Sequence, residues 1–164
     1  MKPLTVPMTT APMAALFCAA SLVLPYVHAQ QGDAARWQFT EELKAKAEKG
    51  DPEAQSNLGA CYGHGAGVTK DYVEAVKWYR RAAEQNHTRA QYNLGVSYHL
   101  GQGVPNDDVE AYAWSKLAAR AASSAAANCA DLEKSMSPQQ VAAAKKRAQE
   151  LQAMMDAKLK SNAK

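Results

Sequence analysis

The sequence predicts an all-α fold: antiparallel helical-hairpin repeats stacked as a short right-handed α-solenoid, with a long C-terminal capping helix. Three observations predict it. A 36-residue segment occurs twice in tandem, and self-similarity at that period marks a stacked repeat. Alanine is abundant and β-branched residues are scarce, which favours helix over strand. The aspartate that starts the second helix recurs, Asp71 as Asp107.

In chain order, the first 29 residues stand apart. Lys2 is the sole charge before Asp33, and the uncharged run MAALFCAASLVL spans Met13 to Leu24. Pro25 breaks it, and Val27-His28-Ala29 supplies small residues for a cut. This is the pattern of a secretory signal peptide, residues 1–29, cleaved after Ala29. The run is shorter than the roughly 20 residues a membrane span needs. Phe17 before Cys18 is too bulky for lipoprotein processing. The expected location is periplasmic or secreted. Losing the signal changes the formal net charge only from +3 to +2. That balance excludes a dedicated nucleic-acid binder, which concentrates basic residues on one face. No later segment approaches a membrane span.

Residues 30–50 form the N-terminal capping helix, with Phe39–Gly50 placed as the second helix of an incomplete unit. Residues 51–86 and 87–122 are the two repeats, with 16 identities in 36 aligned positions. In the first, Asp51 caps a helix with Pro52 at its first position, where a missing N–H costs nothing. That helix is expected to reach Tyr62, with Ala54, Leu58, Cys61 and Tyr62 on one apolar stripe. The connector GHGAGVTK follows. Asp71 caps a second helix to about Gln85, which carries Val73, Val76, Trp78, Tyr79, Ala82 and Ala83. The second copy places helices from Thr88 to about His99 and from Asp107 to about Ala121.

Residues 123–164 form a degenerate third repeat and the capping helix. Ala130 stands where Leu94 stood, and the glycine turn is gone. Ser137-Pro138-Gln139-Gln140 then opens a long helix to about Lys160, with Ser137 and Gln140 as a capping box. Val141, Ala144, Ala148, Leu151, Met155 and Leu159 fall on one side of it, expected to cover the open end of the stack. A hairpin of this size cannot bury its faces alone, so neighbours must stack.

The motifs are A-Q-x-x-L-G-x-x-Y, then G-x-G-V, then D-x-x-x-A-x-x-W-x-x-x-A-A, across Asp51–His87 and Thr88–Ala121. They closely resemble the Sel-one-like repeat, a relative of the tetratricopeptide repeat, over about 70 residues. The segment from Ser123 resembles the last unit of short bacterial members. The resemblance implies an α-solenoid binding proteins or peptides on its concave side, exported when a signal peptide is present, with no common enzymatic activity and no cofactor.

GHGAG follows a helix rather than a strand, so it is a turn and not a phosphate cradle. Only Gly65 and Gly67 return, as Gly101 and Gly103. Cys61 and His64 form half of a metal site at most, since the second copy has Ser97 and Leu100 there. Cys61 and Cys129 fall two units apart, which favours two separate buried thiols over a disulfide. The single S-x-x-K, Ser161 to Lys164, has no S-D-N or K-T-G companion for an acylatable serine. Trp78 and Trp114, with Tyr62, Tyr79 and Tyr98, sit at helical spacing as core. Lys145-Lys146-Arg147 reads as a solvated face of the last helix.

What remains for binding is the concave face of the first helices: Glu53, Asn57, Ala60 and His64 with Ser56 beside them, and Arg89, Tyr92, Asn93, Val96, His99 and Leu100 in the second copy. Asn57 and Asn93 recur and can donate and accept together, which suits either a peptide backbone or a bond to a neighbouring helix. The expected function is protein or peptide binding without catalysis. The alternative is a periplasmic binding module for cell-envelope glycan or peptide fragments.

Overall fold

The computed structural model describes residues 38–162. The signal peptide and its cut lie outside them, as do residues 30–37. Seven helices succeed one another among the described residues: α1 Glu41–Glu48, α2 Pro52–His64, α3 Tyr72–Ala83, α4 Thr88–Leu100, α5 Asp108–Ala118, α6 Ser123–Ser135 and α7 Pro138–Asn162. Helices α2 and α3 pair as the first hairpin, and α4 and α5 as the second.

The starts follow the cap residues. Asp51 accepts from the amides of Glu53 and Ala54 at 2.9 and 3.2 Å. Asp71 and Asp107 do the same for α3 and α5. Ser137 and Gln140 exchange reciprocal bonds of 2.9 and 3.3 Å at the start of α7, which is the expected capping box. Helix α6 starts at Ala122 without a side-chain cap, in keeping with its degenerate sequence.

The ends correct the expected boundaries. Helices α2 and α4 run on through His64 and Leu100, because the stop is the left-handed residue that follows: Gly65 at φ 73° and Gly101 at φ 64°. Gly63 and His64 therefore belong to the helix and not to the connector. Helices α3 and α5 stop earlier than expected, at Ala83 and Ala118, capped by Glu84 and Ala119. The second glycine of the turn has another task. A β-carbon on Gly103 has no room against the Tyr72 carbonyl, so this residue seats the loop of one repeat against α3 of the other.

Packing follows the motif. Leu58 and Leu94 are wholly buried. Gly59 lies under the Tyr79 ring, and Gly95 lies against Ser115 and Ala111, so each hairpin closes on a position without a side chain. Gln55 is buried and donates to the Ala47 carbonyl at 3.0 Å; Gln91 repeats this on Ala83 at 3.2 Å. Each repeat thereby hydrogen-bonds the end of the preceding helix, adding a second donor to a carbonyl that already accepts a backbone amide, from Gly50 and Asn86 respectively. Trp78 packs with Ala47, Ala54 and Leu58, while Trp114 joins Val76, Tyr79, Leu94 and Leu117. Both tryptophans are core. Cys61 and Cys129 are both buried and no bridge joins them.

The long C-terminal helix caps the array as expected. It packs along α5 and reaches α6 through Ala144, which clusters with Cys129 and Leu132. Ala148, Leu151 and Met155 meet Trp114 and Leu117, and Arg147 pairs with Glu110 at 2.5 Å. Lys158 reaches Glu84 at the end of α3, at 2.7 Å. The partner surface explains the seat: α5 offers Trp114 and Leu117, and α6 adds Cys129 and Leu132. The apolar seam ends at Met155, and Leu159 is exposed.

Candidate functional site: the face of the first helices

Helices α2 and α4 carry equivalent residues, so the turn that displays Glu53 in one displays Arg89 in the other. The two meet. Arg89 Nη2 donates to Glu53 Oε1 at 2.9 Å and to Asn57 Oδ1 at 2.5 Å, and Nε donates to Ser56 Oγ at 3.3 Å. Four predicted site residues thus form one polar cluster across the boundary between the repeats.

His87 completes it, and the sequence did not single it out. Its Nδ1 accepts the Ala90 amide at 3.2 Å, capping α4. A neutral ring accepting there carries its proton on Nε2, which donates to Glu53 Oε2 at 2.8 Å. Both carboxylate oxygens of Glu53 are therefore engaged. The His87 hydrogen bond, with Arg89 close by, holds the Glu53 carboxyl below its ordinary range. A carboxylate so stabilised as an anion is a poor proton acceptor.

The other predicted residues occupy separate places. Ser56 is buried and is a seat for Arg89 rather than a surface contact. Ala60, read from the sequence as groove-facing, is buried too. Asn57 is half-buried between Arg89 and Glu53. Asn93 hydrogen-bonds the Tyr79 hydroxyl, whose pKa burial pushes up to about 12. Both asparagines thus bond within the fold. Tyr92 is half-buried on the same face, while His64 and His99 are exposed at the far ends of α2 and α4. His99 Nδ1 lies 2.8 Å from Asp108 Oδ1.

Burial pushes both thiols up, Cys61 and Cys129 alike, so they stay protonated and weakly nucleophilic. Among the described residues no group of three His, Cys, Asp or Glu side chains could hold a metal ion. No described helix is long and apolar enough to cross a membrane.

Stacked helical hairpins that share buried glutamine bridges and a polar boundary cluster define a helical-repeat scaffold of the tetratricopeptide-like class. The Sel1 repeat family matches twice, at residues 52–87 and 88–123, so the chain carries two Sel1 repeats. Over 42 residues it is 51% identical to the secretory immunoglobulin A-binding protein EsiB of Escherichia coli O6:H1, a match covering 26% of this chain and 9% of EsiB. The solved structure of c5321, described as a protective antigen of uropathogenic Escherichia coli with an SLR fold, superposes at TM-score 0.66. It is 36% identical, over 68% of this chain and 24% of that one. A Sel1 repeat protein from Oxalobacter formigenes gives 0.54 and 36% identity, over 55% of this chain and 26% of its own. The match thus spans a tenth or less of EsiB and about a quarter of each solved chain. Sel1 repeats are generally protein–protein interaction modules.

Proposed function

We propose that this chain is an exported, non-catalytic interaction module that holds a protein or peptide partner on the face of α2 and α4. The observation that carries the reading is the Glu53–Asn57–Arg89–His87 cluster, which locks the two first helices into one surface. Tyr92, His64 and His99 lie on that surface outside the cluster, and offer the aromatic and polar contacts that interfaces favour. Export is supported by the N-terminal pattern of residues 1–29 and by likeness to a protective antigen. Absence of catalysis is supported by the occupied Glu53 carboxylate and the two buried, protonated thiols.

The test is a crosslinked pull-down from the envelope of the producing cell, with wild-type bait and a Tyr92→Ala, His64→Ala double variant. A protein recovered by the wild type and lost by the variant is expected. Equal recovery by both baits would remove the assignment, and recovery of glycan alone would favour the envelope-fragment alternative.

A further inference from the structure

A second surface lies on the other set of helices, lined by α5 and α7 with no residue from α2 or α4. It is an open channel of about 610 Å³. Its floor is Leu117, Ala148 and Ala153, and its rim carries Lys116, Arg120 and Lys145, against a single anion, Asp156. The lining residues of α7 extend from Lys145 to Asp156, about 16 Å at the helical rise per residue. Small side chains between two helices let a third helix approach closely. α7 itself shows that α5 accepts a helix on this side.

The charge of the rim is only partly met from within. Lys145 pairs with Glu133 at 3.2 Å, and Tyr112 already donates to that carboxylate at 2.7 Å. Arg120 donates to the neutral amide of Gln152 at 2.9 Å. Lys116 and Arg120 are both exposed; Lys116 lies within electrostatic reach of Glu133 without a hydrogen bond to it, and Arg120 has no carboxylate partner among these bonds. An apolar floor of helical length with an excess of cations is complementary to one kind of occupant. We propose that the channel between α5 and α7 docks an acidic amphipathic helix of a partner protein. Its leucine-type side chains would lie over Leu117 and Ala148, and its carboxylates would meet Lys116 and Arg120.

The test uses a fluorescein-labelled synthetic helix of about four turns, with leucines on one face and glutamates elsewhere, and a twin carrying lysine for glutamate. Fluorescence anisotropy with the whole chain should show saturable binding of the glutamate peptide that weakens with added salt. Ala153→Trp, which fills the exposed floor, and the double variant K116E/R120E should each weaken it about tenfold or more, with circular dichroism spectra unchanged. Tyr92→Ala should leave it unaltered, which separates this site from the face of α2 and α4. No saturable binding, equal binding of the lysine twin, or binding indifferent to both channel variants would overturn the proposal.

Discussion

Glu53 shows how one side chain gathers a boundary. Its carboxylate takes His87 on one oxygen and Arg89 on the other. Its folded pKa is lowered, so its contribution is present above the unfolded carboxylate value, roughly 4.3, and is lost as pH falls through the folded value. Glu53→Gln should therefore be less stable than wild type at pH 7, and the gap should close in acid, once the pH has fallen through the lowered folded value. Urea melts at pH 7 and in acid check this. The effect is modest because the side chain is largely exposed. A larger cost awaits Gly95→Ala, whose β-carbon would meet Ser115 Oγ at 2.5 Å and the Ala111 carbonyl at 2.9 Å. Overpacking of this kind costs about 1–3 kcal/mol, readable as a lower denaturation midpoint with an unchanged slope.

At the scale of the element, the buried glutamines tie each repeat to the helix before it. Gln91→Ala removes one of two donors to the Ala83 carbonyl, which keeps the Asn86 amide, and should destabilise the fold by about 0.5–1.5 kcal/mol. Gln91→Glu should do no better, because a buried carboxylate cannot donate to a carbonyl at neutral pH. Helix α7 is held by Trp114, Leu117 and the Glu110–Arg147 pair. Arg147→Ala should loosen it, seen as faster amide exchange along Ala144–Met155 than in α2. These two elements also show what the sequence could reveal. The cap residues Asp51, Asp71, Asp107 and Ser137 announce their helices, because capping depends on neighbours a few residues away. The role of Gln55 and Gln91 was not legible, since their acceptors lie in the preceding unit. The stripe of α7 announced a capping helix, but its partners were hidden for the same reason: an apolar stripe fits any apolar surface, and Trp114, Leu117, Cys129 and Leu132 lie on other helices.

For the molecule as a whole, two copies of one hairpin make a continuous face from α2 and α4, while α5 and α7 build a second surface. The sequence found the first face by helical periodicity, but could not separate its structural members from its free ones. Ser56, Asn57 and Asn93 turn inward because Arg89 and Tyr79 are there to receive them. His87 escaped notice because a histidine cap lacks the strong signature of aspartate or serine. The claim that the α2–α4 face is where a partner sits meets its most direct test in site-specific photocrosslinking in the producing cell. A photoreactive residue at Tyr92 should yield a discrete adduct, and one at exposed Lys77 on α3 should yield none. Adducts from Lys77 and none from Tyr92 would contradict the account.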